Sequence, residues 1–136
     1  MAGWADVRRL ALALPGTSEH VSWGHAHWRV RDRGFVWERP LGRTDREALG
    51  AGAPDGPIVA ARVPDEGVRA ALVAEQPDIY FTILHFAGFP AVLARLDRLP
   101  MPELEELVVE AWVDRAPARL RREYLAGRDR AGEVRD

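Results

Sequence analysis

Trp23, His25, His27 and Trp28 crowd into one short stretch of this chain, with Trp37 close behind and His85 further on. Residues two apart on a strand point to the same face, so His25 and His27 can converge on a common space. Aromatic walls with a few polar tips are what a small-molecule or peptide cleft requires. Trp23, His25, His27, Trp28, Trp37 and His85 are therefore candidate ligand-binding residues. The competing reading puts the tryptophans in the core and the histidines along its border. Paired imidazoles can also share a metal, which raises His20, His25 and His27, with Glu19 as a fourth ligand. No second cluster of carboxylates or histidines completes that sphere, so neither a metal nor another cofactor is expected. Glu103, Glu105, Glu106 and Glu110 read instead as the wet face of a helix, where they favour its N-terminal end.

A second chemistry is carried by arginine. From Arg29 to Arg46 there are Arg29, Arg31, Arg33, Arg39, Arg43 and Arg46 against Asp32, Glu38 and Asp45, a local excess of three positive charges. A β-ribbon presenting Arg29, Arg31, Arg33 and Arg39, with Arg62 nearby, can enter a groove of double-stranded DNA and neutralise phosphates. The competing reading is a solvated sheet face with charge pairs such as Arg31 with Glu38. The net charge of −2 weighs against strong nucleic-acid binding, since phosphate neutralisation supplies most of such affinity. Every basic residue is arginine, with no lysine. That suits bidentate contacts, and it is also what an arginine-biased codon usage produces.

Catalysis finds little to work with. The chain has no nucleophile-elbow sequence, no phosphate-cradling glycine loop and no HExxH motif. Ser18 and Ser22 have no recognisable base at a fixed spacing, and Thr17-Ser18-Glu19 after Pro15-Gly16 reads as turn chemistry. The expectation is a binding protein and not an enzyme.

These residues need elements to hold them. Trp4, Val7, Leu10, Ala11 and Leu14 repeat at helical spacing, and Pro15-Gly16 ends that helix. His20 to Arg39 reads as extended, with runs at 28–31 and 34–38 joined by a turn at Asp32-Arg33-Gly34. Alternation puts Val30, Phe35 and Trp37 inward and Arg29, Arg31 and Glu38 outward, as in a sheet with one wet face. Residues 41–57, rich in Gly, Pro and charge, read as a loop with a short helical turn. A strand over Ile58–Val63 and a helix opened by Pro64-Asp65 follow, the helix stopping before Pro77. Two more strands are expected over Ile79–Leu84 and Ala91–Leu96. Pro102 suits the first position of the next helix, with Leu104, Leu107, Val108, Ala111 and Trp112 on its buried stripe. Pro117 breaks it, and a last short helix runs to about Leu125. The order helix, strands, helix, strands, helices predicts an α+β fold with an antiparallel sheet packed by helices.

With 136 residues and 47% hydrophobic content, the chain can bury one sizeable core. It has no cysteine, which excludes disulfides, thiolate metal sites and a cysteine nucleophile. Charges interrupt the opening residues where a secretion signal would be apolar, and no apolar run is long enough to span a bilayer. A cytoplasmic monomer or weak homodimer, with no membrane partner, is expected.

Three segments carry a resemblance. Trp23-Gly24 with Trp28-Arg29-Val30 and Phe35 resembles a WG-x-x-x-F-R-V-x-x-K-x-F segment. His85 to Leu96 is similar to an H-x-x-G-x-x-x-V-x-x-R-L strand pair. Glu110-Ala111-Trp112 with Ala116-Pro117 resembles a closing E-A-W…A-P-x-x-L helix. In this order they resemble the MmcQ/YjbR family over roughly residues 4 to 125. Arg33 stands where the family usually has lysine, and Arg62 occupies the basic position of its L-x-L-K-V strand. The resemblance implies a single compact domain, 1–126, of the frataxin-related CyaY-like arrangement with two β-hairpin wings, followed by a charged flexible tail, 127–136. It also implies DNA binding, a label that the family carries by analogy from its shape.

Overall fold

A computed structural model describes the backbone of residues 2–135 and the side chains as far as residue 128. Helix α1 (Trp4–Leu12) leads into β1 (Thr17–Ser22), β2 (His25–Val30) and β3 (Arg33–Glu38). Helix α2 (Arg43–Leu49) precedes β4 (Ile58–Arg62), and α3 (Glu66–Glu75), β5 (Tyr80–Phe81) and β6 (Ala91–Arg95) follow. Helices α4 (Met101–Arg115) and α5 (Ala118–Arg135) close the described chain. The strands form one antiparallel sheet in the order β1-β2-β3-β4-β6-β5. This is the α+β single domain that the sequence predicts. No helix among the described residues is long and apolar enough to cross a membrane.

The sheet is covered on both faces at its centre. On one face Trp28, Val30, Val36, Val59, Ala61, Val92 and Ala94 meet Val7 and Ala11 of α1 and Leu104, Leu107, Val108, Ala111 and Trp112 of α4. On the other, Ile58, Ala60, Phe81, Ala91 and Leu93 lie beneath Ile83 and Phe86, with Trp37, Leu41 and Leu49 at the margin. Two-sided burial explains why β4 reads as an unbroken apolar run: Ile58, Val59, Ala60 and Ala61 are all buried.

A β-bulge changes the expected facing of β3. The β2–β3 register shifts between Trp28 and Arg29, so Trp28 pairs with Val36 while Arg29 pairs with Gly34. The extra residue lets Phe35 and Val36 both enter the helix-side core. Trp37, expected inward with Val30 and Phe35, lands on the opposite face beside Phe86 and Phe89.

Several boundaries also move. Thr17-Ser18-Glu19 belongs to β1 and not to a turn. Its first hydroxyl sits 2.8 and 2.7 Å from the carbonyls of Ala11 and Leu14 and so closes the end of α1. The β2–β3 turn is Arg31-Asp32, one residue before the predicted one. The strand expected over Ile79–Leu84 shortens to Tyr80–Phe81, because the chain turns at Leu84–Phe86 to fold Ile83 and Phe86 over the sheet. Helix α4 starts one residue ahead of Pro102. Helix α5 passes the expected end at Leu125, and the side chains of the predicted tail beyond residue 128 lie outside the described residues.

Candidate functional site

The second face of the sheet carries a half-open cavity of about 530 Å³. Its floor is the cross-strand pair His27 and Trp37. Phe89 forms one wall, Arg62 and Arg115 another, and Trp23 with His25 stands over the mouth. Four of the six predicted cleft residues thus come together: Trp23, His25, His27 and Trp37. Two do not. Trp28 is 1% exposed in the core on the helix side, where it stacks on Trp4 and donates from Nε1 to Glu19 at 3.0 Å. His85 lines a separate depression with Arg39, Arg43 and Arg69, because the Leu84–Phe86 turn carries it away from the hairpins.

Trp23 has an unusual setting. It and Gly24 form the two-residue turn between β1 and β2, with φ of 54° and 78°. Turns with both central residues at positive φ favour Asn-Gly, and a bulky residue there costs about 1 kcal/mol. The indole is nevertheless 96% exposed, so no core burial offsets that cost.

His27 is held in one protonation state. Arg29 donates from Nε to His27 Nε2 at 3.0 Å, which requires a neutral ring with its proton on Nδ1. Burial first, then the Arg29 cation, then His20 hold its pKa below the ordinary 6.5. The ring has room because Gly34 lies opposite: a β-carbon there would come within 3.3 Å of Nε2. Since the unfolded chain takes up the proton first as pH falls, stability drops as pH passes below about 6.5. The melting temperature is expected to fall more steeply between pH 7 and pH 5 in the wild type than in His27→Gln. Equal slopes would show that His27 carries no such linkage.

The predicted arginines divide. Arg29 is spent on His27, and Arg39 is paired with Asp45 at 3.5 Å and bonded to the Pro40 carbonyl. Arg31 and Arg33 are exposed at the β2–β3 turn, where Arg33 donates to the Arg115 carbonyl at 3.4 Å. The Arg31–Glu38 pair of the competing reading does not form, because Arg31 lies in the β2–β3 turn and Glu38 at the far end of β3, where it meets Nδ1 of His25 at 2.9 Å. Arg62 enters the cavity, its guanidinium 4.8 Å from the Phe89 ring centre. Burial first, and then the neighbouring Arg115 cation, lower the Arg62 pKa, with Asp114 offsetting part of this.

Phe89, Arg115 and Arg69 have no counterpart in the sequence-based site. Arg69 donates from Nη1 to the carbonyls of Phe86 and Phe89, both at 2.8 Å. Its partner Glu66 accepts from the Gly88 amide at 2.8 Å. This α3 pair pins the loop that presents Phe89, whereas in sequence it is one more helix-surface ion pair. Among the described residues there is no group of three or more His, Asp or Glu side chains able to hold a metal ion. His20 instead faces Ser18, at 2.8 Å from its hydroxyl.

Known proteins share both the sequence and the shape. "Uncharacterized protein Rv2570" of Mycobacterium tuberculosis and "Uncharacterized protein Mb2600" of Mycobacterium bovis are each 48% identical over 129 residues, covering 93% of this chain and 98% of theirs. The crystal structure of Deinococcus radiodurans protein DR2400, described as carrying a DUF419 domain, superposes with a TM-score of 0.63. That match covers 83% of this chain and 78% of the other at 18% identity, a likeness of fold. A family model described as YjbR matches residues 12–113, from the end of α1 to the last turns of α4. With that span covering the whole sheet, the chain belongs to the YjbR family.

Proposed function

We propose that this protein is a non-catalytic binding module that takes a small ligand bearing an aromatic ring into the cleft over His27 and Trp37. The observation that carries this reading is Trp23. A large apolar side chain stands almost wholly in solvent, on a turn that would be more stable with asparagine. Local rules broken at a point without a folding benefit tend to mark function. The volume of about 530 Å³ suits a small organic molecule, and Trp37 and Phe89 offer it ring faces.

The test is an NMR titration with indole, phenol and benzyl alcohol, following the indole Nε1–H signals. Trp23 and Trp37 should shift while the buried Trp112 does not. Trp23→Asn is expected to raise stability by about 1 kcal/mol and to weaken binding several-fold. Cleft signals unmoved by every probe would overturn the reading.

A second reading, contact with double-stranded DNA, is favoured by Arg29, Arg31 and Arg33, none of which forms an ion pair with a carboxylate among the described residues. Fluorescence anisotropy on a labelled duplex at about 50 and 200 mM salt separates the two, since phosphate contacts weaken steeply with salt. Binding lost in Arg31→Ala/Arg33→Ala would support DNA, and none at the lower salt would remove it.

A further inference from the structure

We infer that the cleft recognises an aromatic oxyanion, a ring carrying a carboxylate or phosphate group, with Arg62 and Arg115 as the anion-binding pair. The inference rests on the cleft being a ligand site and adds the chemical class of the ligand.

Three features of the cleft converge. First, Arg62 and Arg115 line the same cavity. While Nε of each is fully buried without a hydrogen-bond partner among the described residues, their Nη groups are not buried and are the ends that a ligand can reach. A guanidinium carries five N–H donors in a rigid fork, and Nη groups left free at a cavity wall are suited to a planar oxyanion. Here two such guanidinium groups stand side by side at one cavity.

Second, the two cations stand together without compensation. Among the described residues neither makes an ion pair. Asp114 is near enough to act on Arg62 through space, yet it does not bridge the pair. Glu38, the carboxylate at the cavity, is engaged by His25 at 2.9 Å. Like charges beside a partly desolvated cavity repel, and an oxyanion bound between their Nη groups would offset that repulsion.

Third, the surroundings fix the ring end of the ligand. Arg62 lies over the Phe89 face, which holds its guanidinium plane in place. Phe89 in turn stands edge-on to Trp37. A ring entering against Trp37 would leave its acidic substituent on the arginine side of the cavity. The neutral state of His27 matters here as well. Its Nε2 lone pair is taken by Arg29, so the imidazole turns no repelling lone pair toward the anion.

The experiment titrates the intact protein with benzyl alcohol, benzoate, phenyl phosphate and inorganic phosphate, reading the Arg Nε–H and Trp Nε1–H resonances. At least one ring-bearing anion should bind about tenfold or more tighter than benzyl alcohol, as a charge-assisted contact requires. It should shift the Nε–H signals of Arg62 and Arg115, which report on charge bound at the Nη ends of the same guanidinium groups. The advantage should vanish in Arg62→Gln and in Arg115→Gln, each checked by its melting temperature, while benzyl alcohol still binds. The second variant decides if loss of the Phe89 contact unfolds the first. The benzoate and phenyl phosphate arms tell carboxylate from phosphate. Inorganic phosphate alone should bind weakly for want of the ring. Benzyl alcohol binding as tightly as both anions would sink the oxyanion assignment and leave the cleft standing. Failure of every ring-bearing probe would remove the cleft itself.

Discussion

Trp112→Ala is expected to cost about 3–5 kcal/mol from lost packing alone, a large share of the roughly 5–15 kcal/mol that stabilises a domain of this size. Trp112 is fully buried at the middle of the helix-side core. Its ring meets Tyr124 of α5 edge-on at a centroid separation of 4.8 Å, and Nε1 donates to the Pro15 carbonyl at 3.0 Å. One side chain therefore ties α4 to α5 and to the turn between α1 and β1. Alanine empties the site and leaves the Pro15 carbonyl without its donor, which adds to the cavity cost. Trp112→Phe keeps most of the volume and isolates the hydrogen bond, at about 1–3 kcal/mol. Urea denaturation of the three proteins measures both. A loss below about 2 kcal/mol for alanine would mean that α5 collapses into the gap or contributes little to the core.

The second large effect sets two nearby tryptophans against each other. Trp28→Ala should destabilise by about 3–5 kcal/mol, since the ring is 1% exposed, stacks on Trp4, and bonds Glu19, which also pairs with Arg8 at 3.0 Å. Trp23→Ala should lie within about 0.5 kcal/mol of the wild type, since its ring touches mainly solvent. The ligand titration should rank them in reverse, with Trp23→Ala weakening binding and Trp28→Ala doing so only through unfolding. Similar stability losses at both positions would overturn the account of Trp23 as a residue kept for binding.

Much of the architecture was legible residue by residue. The helical spacing of Val7 and Ala11, and of Leu104, Leu107, Val108, Ala111 and Trp112, marks the two helices that pack on the sheet, and these positions are buried. The apolar runs at 58–63 and 91–96 read as strands, and it is the structure that buries β4 and β6 on both faces where a sheet with one wet face was expected. The alternation of His25 and His27 places both at one cavity. The arrangement of Arg62 with Arg115 was beyond any such pattern, because one ends a strand and the other a helix and only the packing of α4 against β3 and β4 makes them neighbours.

Periodicity reports which residues share a face within one element, and from it alone this chain declares its helices, its strands and their α+β order. It is blind to events that depend on a partner strand or a distant loop. The bulge opposite Trp28 reverses Trp37, the Leu84–Phe86 turn withdraws His85 and covers the second face, and the Glu66–Arg69 pair holds Phe89 in place. Each is a balance between local backbone preference and the burial available only after the sheet has assembled. For that reason the cleft, its aromatic walls and its two unspent arginines belong to the tertiary structure, while the helices and strands that carry them were already written in the residue pattern.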